Sequence, residues 1–338
     1  MTRETFKALV LTEEDKKTRH EIRQLTVDDL PPGDVLVAVA YSSLNYKDGL
    51  AVTGKGKIVR QFPMVPGIDL AGTVLESDAP DYKPGDKVIL TGWSVGEKYW
   101  GGYTQKARVK SQWLVPLPAG LDTKQAMAIG TAGFTAMLCV LALEEAGITP
   151  GMEKPVIVTG ASGGLGSVAV ALLAKLGYTV AAVTGRAEGA DYLRGLGARE
   201  IVEREAMAAT PRPLEAQRWS GAVDTVGSTV LARVLAEIDY GGAVAACGLA
   251  GGADLPTTVL PFILRGIRLQ GVDSVMCPLP RRRQAWERLV RDLPATALQT
   301  ISHVAALEEV PGLAEDIIAG KVQGRVVVDL NAAVPEID

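Results

Sequence analysis

The chain has 338 residues, of which 47% are apolar and 22% charged, and a net charge of −4. These values predict a folded protein large enough for two domains and exclude a disordered chain. The longest basic run is Arg281-Arg282-Arg283, so we expect neither a nucleic acid nor a membrane as a partner. The start, MTRETFKALV, has no apolar signal core, and the uncharged stretch from Thr131 to Leu143 is too short to span a bilayer. A cytoplasmic location is expected.

Cysteine and histidine are too scarce for several reaction classes. The cysteines Cys139, Cys247 and Cys277 are far apart and form neither a disulfide framework nor a metal-ligand cluster. The histidines His20 and His303 lie in charged or mixed surroundings without a paired ligand. This scarcity excludes Ser-His-Asp hydrolysis and zinc hydrolysis.

Two hydrophobic patterns divide the chain. Short alternating strands broken by proline and glycine, such as DVLVAVAYSSL and KPGDKVIL, occupy residues 6 to about 120 and predict an irregular antiparallel barrel. From residue 121 a long apolar helix is followed by short apolar strands that alternate with helices, a pattern typical of a doubly wound parallel sheet. After residue 280 come two helices and the strand GRVVVDL, which is predicted to return to the first domain.

The predicted fold class is therefore α/β, with an irregular β-barrel catalytic domain and a Rossmann domain inserted in the middle of the chain. The predicted boundaries are 1–125 for the first part of the catalytic domain, 126–275 for the Rossmann domain and 276–338 for the C-terminal part of the catalytic domain.

Residues 159–166, TGASGGLG, fit two nucleotide-binding fingerprints. Read as Ala161-x-Gly163-x-x-Gly166, the run is a dinucleotide-binding loop with alanine in the first glycine position. Read from Thr159, it is the loop of short-chain dehydrogenases, which requires a Tyr-x-x-x-Lys pair and a place near the N-terminus. No tyrosine of this chain has a lysine four residues on, and the run lies in mid-chain. The first interpretation is therefore favoured.

The strand PVIVTG and the helix LGSVAVALLAKLG enclose this turn. The backbone N–H groups of Ser162, Gly163, Gly164 and Leu165 meet the positive end of the helix there, so a pyrophosphate is predicted at the turn. Glycine at positions 163 and 164 allows the backbone to approach the phosphates. Gly166 allows close packing of the helix on the strand.

The next strand ends in Thr184-Gly185-Arg186, where an NAD-binding site would present an acidic residue. Thr184 and Arg186 suit the 2′-phosphate of NADPH instead, since a guanidinium binds phosphate well. If Arg186 were only a surface charge, the missing acid would be unexplained. Arg204, after the third strand, is a second candidate phosphate contact. The predicted cofactor is NADPH.

Four further residues follow strand or helix ends on the side of an open sheet where ligands bind: Asp224, Leu249, Ile263 and Ser274. The last three are candidate cofactor contacts. Plain packing would explain each of the four positions equally well.

The chain resembles the medium-chain dehydrogenase/reductase superfamily over its whole length, which implies a GroES-like fold for the barrel domain. Zinc alcohol dehydrogenases of that group carry metal ligands in Cys-x-x-Asp and Gly-His-Glu-x-x-Gly segments. The corresponding stretches look like Asn45-Tyr46-Lys47-Asp48 and Gly67–Gly72, in which Asn45 and Ile68 replace ligands. The resemblance thus implies a metal-free member of the quinone oxidoreductase branch.

Longer blocks, among them SSLNYKDGLAVTGKGKIVRQFPMVPGIDLAGTV and LPTTVLPFILRGIRLQGVDSV, are similar to the acrylyl-CoA reductase family. That resemblance implies NADPH-dependent reduction of acrylyl-CoA to propionyl-CoA in a cytoplasmic homodimer or higher homo-oligomer, with the sixth strand as a pairing edge. An NADPH:quinone oxidoreductase shares the scaffold and remains an alternative. A non-catalytic NADPH-binding sensor is a second alternative.

The resemblance also assigns catalytic roles. Tyr46 is the candidate proton donor, and ordering the cofactor by packing on the nicotinamide is an equal alternative. Asn45 is its candidate catalytic partner and, with Asp48, orients the loop. Asp69 is expected to be a structural carboxylate, and Thr131 a contact to the nicotinamide end.

Other positions stay open between a binding role and a structural one. Thr135 is a second candidate contact to the nicotinamide end. The aromatic residues Trp93, Tyr99 and Trp100 either line a substrate pocket or pack in the core. The arginines 281–283 either meet the phosphates of CoA or begin a solvated helix.

Overall fold

The computed structural model describes residues 4–185 and 188–332. The chain forms two compact units. The first is made of the described parts of Met1–Thr131, Val275–Arg283 and Ser302–Asp338, and the second of the described parts of Ala132–Ser274 and Gln284–Ile301. Residues 284–301, which the sequence analysis assigned to the catalytic domain, thus belong to the second unit. There Arg288 donates two hydrogen bonds of 2.8 Å to the carboxylate of Glu144.

The described strands follow in chain order: β1 Phe6–Glu14, β2 Lys17–Leu25, β3 Val35–Leu44, β4 Asp69–Ser77, β5 Lys87–Thr91, β6 Lys106–Val109, β7 Val115–Pro116, β8 Val156–Val158, β9 Val180–Thr184, β10 Glu200–Glu203, β11 Trp219–Asp224, β12 Ile238–Ala246, β13 Arg268–Gly271, β14 Ser302–Ala306 and β15 Arg325–Asp329. The described helices are α1 Tyr46–Thr53, α2 Thr123–Glu145, α3 Gly164–Lys175, α4 Glu188–Gly195, α5 Arg204–Ala208, α6 Ser228–Glu237, α7 Leu260–Arg265, α8 Leu279–Asp292, α9 Ala295–Ile301 and α10 Val310–Ile318.

The first unit is built on a mostly antiparallel sheet in the order β14-β15-β3-β4-β5-β7, with β6 also paired to β3 and a separate β1-β2 hairpin. The GroES-like fold class is confirmed. Strand β15 pairs antiparallel with β3, as the sequence predicted for GRVVVDL. Alternate apolar residues of these strands, including Val37, Leu70 and Val328, form the core.

The second unit contains a six-stranded parallel sheet in the order β10-β9-β8-β11-β12-β13. Every residue of β8, β9 and β11 is buried, as expected for parallel strands covered on both faces. The strand order reverses between β8 and β11. In such sheets, ligands bind beyond the carboxyl ends of the strands at this point. The Rossmann fold class is confirmed, and β13 is an edge strand.

Helix α2 differs from the expectation in two respects. It has 23 residues and a mean hydropathy of 2.0 in its most apolar part, so by length and composition it could span a membrane. The helix is thus longer than the uncharged stretch from Thr131 to Leu143 on which the sequence expectation rested. However, 89% of that part is buried inside the protein, which identifies a core helix. Its backbone is also broken at Gly130, where φ is 52° and ψ is −161°.

Candidate functional site

The predicted phosphate-binding turn lies between β8 and α3 in the second unit. The N–H of Gly163 donates to the carbonyl of Gly160 at 3.0 Å, which closes the turn, and α3 begins at Gly164 after an extended Gly163. Ser162 to Leu165 are partly exposed there. A side chain at Gly166 would place its Cβ 2.3 Å from the carbonyl oxygen of Gly160. Only glycine therefore allows α3 to pack this closely on the turn.

Hydrogen bonds from two strand ends hold the turn. The Thr159 hydroxyl donates to Asp224 Oδ1 at 2.7 Å, and the N–H of Gly227 donates to Oδ2 at 2.8 Å. The N–H of Thr225 donates to the Thr159 hydroxyl oxygen at 3.0 Å. Asp224 is fully buried, and this burial raises its pKa despite the hydrogen bonds it accepts. Asp224 is thus a structural carboxylate that joins β8 to β11.

Two of the predicted 2′-phosphate contacts, Thr184 and Arg204, come together beside Gly185 beyond β9 and β10. Thr184 is the buried last residue of β9 and pairs with Glu203 of β10. Arg204 follows directly, and its guanidinium lies over Gly185, where an added Cβ would be 2.7 Å from Nε and 2.8 Å from Cζ. Glycine at position 185 therefore makes room for the guanidinium. Arg186 lies outside the described residues.

The remaining predicted cofactor contacts of the second unit are spread over three elements. Leu249 is exposed in the loop after β12. Its Cα lies close to Gly227, at 3.4 Å from the position that a Cβ on Gly227 would occupy. Ile263 is 69% exposed on α7, beside the exposed Val259 and Leu264. Ser274 is half-buried after β13. Leu249 is thus close to the loop after β11, whereas Ile263 lies on an exposed apolar face.

In the first unit, buried hydrogen bonds fix the start of α1, where Tyr46 lies. The N–H of Asn45 donates to Asp48 Oδ2 at 2.9 Å, and the Asn45 amide donates to the same oxygen at 3.1 Å. The N–H of Ile68 donates to Asp48 Oδ1 at 2.9 Å. Asn45 and Asp48 thus fix the start of the helix. Tyr46, the first helical residue, remains 40% exposed, and no described residue hydrogen-bonds its hydroxyl.

Asp69, at the start of β4, accepts hydrogen bonds from three directions. Its Oδ2 accepts from Ser43 Oγ at 2.5 Å, from the Asn45 amide at 2.9 Å and from the N–H of Thr131 at 2.9 Å. Its Oδ1 accepts from the Thr131 hydroxyl at 2.5 Å. Asp69 therefore caps the second half of α2 as an N-terminal carboxylate would.

Arg325, the first residue of β15, is buried at the end of the first half of α2. Its Nε donates to the carbonyl of Ala128 at 3.1 Å and its Nη2 to that of Met127 at 3.4 Å. Its Nη1 donates to the carbonyl of Leu44 and to Oδ1 of Asn45, both at 3.1 Å. The guanidinium therefore satisfies the carbonyls that the helix break exposes.

Burial and the repulsion between acidic groups shift the pKa values of three side chains near Asp69. Burial first, and then the neighbouring Asp69 carboxylate, raise the pKa of Asp48 to about 7, against the opposing effect of the hydrogen bonds from Asn45 and Ile68. Burial also raises the pKa of Tyr103 well above its usual value and lowers that of Arg325. The guanidinium of Arg325 lies 3.9 Å from the carboxylate of Asp69, so a fixed positive charge faces the two acids.

These residues do not fit a zinc ion. In the described part of the chain, no group of three or more histidine, cysteine, aspartate or glutamate side chains is arranged to hold a metal. The Asn45 carbonyl oxygen accepts from Arg325, and the oxygens of Asp69 accept from Ser43, Asn45 and Thr131. The oxygen atoms that could bind a metal therefore already accept hydrogen bonds, and the positive charge of Arg325 lies beside them.

The arginine triplet and the aromatic residues are partly structural. Arg282 is fully buried, and its Nη1 donates to the carbonyl oxygen and hydroxyl of Thr91 at 2.9 and 2.7 Å. Both sequence interpretations of the triplet are therefore wrong for Arg282. Tyr99 packs on Trp113 with ring centroids 4.8 Å apart, and Trp100 Nε1 donates to a backbone carbonyl.

Trp93 has an unusual backbone. Its φ is 55° and that of the following Ser94 is 61°, a left-handed conformation that is costly for a bulky residue. The guanidinium carbon of Arg282 lies 5.1 Å from the centroid of its ring, within the range of a cation–π contact.

Comparisons with known proteins agree with this architecture. Residues 31–119 match the family described as the alcohol dehydrogenase GroES-like domain, and residues 164–293 match the family described as zinc-binding dehydrogenase. Acrylyl-CoA reductase AcuI of Ruegeria pomeroyi is 61% identical over 97% of this chain and 100% of its own length.

Two solved structures are similar over nearly their full length. The yhdH oxidoreductase of Salmonella enterica, crystallised in complex with NADP, is 59% identical with a TM-score of 0.94, over 96% of this chain and 99% of that one. Bacillus subtilis protein yhfP, with NAD bound, is 47% identical with a TM-score of 0.93, over 96% and 99%.

Sequence reasoning missed Arg325 and Ser43 and gave Thr159 no structural role. Arg325 directly precedes three valines in the predicted core strand, but arginine is mostly exposed in proteins, so its burial could not be inferred from the sequence. For Ser43 and Thr159 the local sequence holds no signal either, since their partners are 26 and 65 residues away.

The raised pKa of Asp48 predicts a pH-dependent stability. Between its ordinary value of 3.8 and about 7, the folded chain keeps a proton that the unfolded chain has lost. Stability should therefore fall as pH rises through this window, by up to about 1.4 kcal/mol per pH unit, and level off above it. The ionisable groups that face this carboxyl are Asp69, Tyr103 and Arg325. Because Asp48→Asn removes the titrating carboxyl itself, we expect this variant to lose the pH dependence of stability.

Melting temperatures of the wild type and Asp48→Asn, measured in parallel from pH 5 to 8, test this prediction. The wild type should lose stability relative to the variant up to about pH 7. Two curves that stay a constant distance apart across the range would contradict it.

Proposed function

We propose that this chain, which belongs to the acrylyl-CoA reductase family of the medium-chain dehydrogenase/reductase superfamily, reduces the 2,3 double bond of acrylyl-CoA to propionyl-CoA with NADPH. The observation that carries the proposal is the 61% identity to acrylyl-CoA reductase AcuI over 97% of this chain. The turn at Gly163, the Arg204 guanidinium over Gly185 and the exposed Tyr46 support it.

The residues present fit NADPH. Ser162, Gly163, Gly164 and Leu165 would hold the pyrophosphate at the start of α3, where backbone N–H groups and the helix dipole favour negative charge. Thr184, Gly185 and Arg204 would bind the 2′-phosphate, together with Arg186, which lies outside the described residues. When bound, NADPH supplies a hydride.

The first unit would complete the reduction by placing a proton and stabilising charge. Hydride addition at the β-carbon makes negative charge develop on the thioester oxygen, and a proton must then reach the α-carbon. Tyr46 is 40% exposed on a helix that Asn45 and Asp48 fix. A donor already aimed at a developing oxyanion contributes about 3–4 kcal/mol. We assign to Tyr46 both the hydrogen bond to this oxygen and the proton for the α-carbon; the tyrosinate left behind would regain its proton from solvent, to which Tyr46 is exposed.

A spectrophotometric assay tests the function. NADPH oxidation is followed with acrylyl-CoA, with 1,4-benzoquinone and with neither, and propionyl-CoA is identified as the product. Fast oxidation only with the thioester is expected. Turnover with the quinone alone would identify a quinone reductase instead. No turnover with either, despite NADPH binding, would favour a sensor.

The same assay tests Tyr46. If its hydroxyl donates the proton, Tyr46→Phe should lower kcat by about 100-fold or more and leave KM for NADPH nearly unchanged. Because phenylalanine keeps the ring, an unchanged kcat would contradict the proton-donor role and leave Tyr46 only a packing role on the cofactor.

Arg204 should set the preference for the phosphorylated cofactor. Arg204→Gln removes a charge-assisted contact and should raise KM for NADPH about 10- to 100-fold while leaving KM for NADH nearly unchanged. Arg199→Gln is a matched control, because Arg199 is also exposed but directly precedes β10, whereas Arg204 follows it. Equal losses with both cofactors, or none, would contradict the assignment.

We also propose a homo-oligomeric, cytoplasmic enzyme. The apolar residues Val259, Ile263 and Leu264 are exposed on or beside α7, and β13 is an unpaired edge of the sheet, a combination that a second copy of the chain could cover. Light scattering should show at least a dimer for the wild type and a smaller species for Ile263→Asp. A monomeric wild type would contradict this proposal.

A further inference from the structure

Two exposed lysine side chains lie over one tyrosine ring in the first unit. The Nζ atoms of Lys98 and Lys110 are 5.4 and 5.2 Å from the centroid of the Tyr99 ring. Lys110 Nζ is also 5.2 Å from the ring of Trp113, which packs on Tyr99. The two ammonium groups thus lie within about one Debye length of each other, about 10 Å at 0.1 M salt, so both act on the same nearby anion.

Lys98, Tyr99 and Lys110, here called the lysine–tyrosine cluster, offer donors that the described part of the chain leaves without acceptors. An ammonium group has three N–H donors and a tyrosine hydroxyl has one. Among the described residues, none accepts a hydrogen bond from these groups and no carboxylate pairs with either lysine. The carboxylate of Asp34 interacts electrostatically with Lys110 but accepts its hydrogen bonds from Ser111, at 2.6 and 2.7 Å.

The turn that carries Lys98 and Tyr99 has a fixed backbone. The N–H of Lys98 donates to the carbonyl of Ser94 at 2.9 Å, and that of Gly96 donates to the carbonyl of Tyr99 at 2.7 Å. Trp93 and Ser94 hold left-handed conformations, with φ values of 55° and 61°. Because a binding site whose backbone is already ordered loses less entropy on binding, this turn is suited to a ligand.

An ion pair joins the same turn to the helix that carries Tyr46. Lys47 Nζ lies 2.9 Å from Glu97 Oε1, and both side chains are partly buried. Lys47 directly follows Tyr46, and Lys98 directly follows Glu97. In an acyl-CoA, a long pantetheine arm separates the thioester from the phosphates of the nucleotide. The lysine–tyrosine cluster is therefore placed to meet those phosphates when the thioester lies at Tyr46.

Charge and the number of donors favour a phosphate as the ligand of this cluster. A phosphate monoester carries nearly two negative charges and three strong acceptor oxygens, which suits two ammonium groups and a hydroxyl. CoA carries a diphosphate and a 3′-phosphate. We propose that Lys98, Lys110 and the Tyr99 hydroxyl bind the phosphates of the CoA nucleotide. The choice of CoA rests on the proposed function, whereas the phosphate chemistry follows from the cluster alone.

Calorimetry tests this binding site without turnover. Dissociation constants for CoA and for inorganic phosphate are measured with the wild type and with Lys98→Gln/Lys110→Gln. This double variant should bind CoA about 10-fold more weakly, because it loses two charge-assisted contacts at an exposed site. Tyr99→Phe keeps the ring and loses the hydroxyl, and should weaken CoA binding about 3-fold.

Lys16→Gln/Lys17→Gln is the matched control. These lysines are also exposed in the first unit, but they lie at the turn of the β1-β2 hairpin. The control removes the same total charge and should keep the affinity for CoA within about 2-fold. Added salt should weaken CoA binding more steeply in the control than in Lys98→Gln/Lys110→Gln.

Equal affinities of the two double variants for CoA would overturn the assignment of the cluster. Inorganic phosphate that binds as tightly as CoA, and is lost in the same variant, would show a site for free phosphate and would overturn the choice of CoA.

The acrylyl-CoA assay is independent of these affinities. If the protein does not reduce acrylyl-CoA but Lys98→Gln/Lys110→Gln alone loses CoA affinity, the proposed function is refuted and the binding site stands. Reduction of acrylyl-CoA together with equal CoA affinities in both double variants would refute the binding site alone. A wild type that binds no CoA would overturn both.

Discussion

The buried ion pair between Arg325 and Asp69 is the constraint on which the candidate site of the first unit depends. It lies at the break in α2, where Arg325 binds the carbonyls that end one helical half and Asp69 caps the next. A Cβ at Gly130 would lie 2.7 Å from Asp69 Oδ2 and would also collide with the Arg325 guanidinium. The break therefore requires glycine. Without a side chain at position 130, the Arg325 guanidinium and the Asp69 carboxylate can approach the helix ends on either side of the break.

Burying two charges costs several kcal/mol per ion unless hydrogen bonds satisfy them. Here the guanidinium has four oxygen acceptors and the carboxylate has four donors. The gain is geometric, because the network fixes Asn45 and Thr131 relative to each other.

Much of the architecture could be predicted from sequence because its signals are local. The alternation of strands and helices predicted the parallel sheet, and TGASGGLG predicted the turn before α3. Asn45 and Asp48 were expected to orient a loop; they do hydrogen-bond to each other, but at the start of helix α1, which the sequence analysis did not predict.

Long-range features could not be predicted in the same way. The partners of Arg325 lie about 200 to 280 residues away, and the burial of Arg282 depends on Thr91, 191 residues distant. The break in α2 was also missed. A glycine inside an apolar helical pattern is tolerated in many helices, and only the charges brought to Gly130 by β4 and β15 reveal why this one is not helical.

The most direct measurement of the ion pair's role is a double-mutant cycle on stability with Asp69→Asn, Arg325→Gln and the combined variant. Each single change leaves one buried charge without its partner and should cost about 3–5 kcal/mol. The neutral amide pair should recover part of that loss, with a coupling of about 2 kcal/mol or more. Losses that simply add would show that the two residues act independently and would contradict the account.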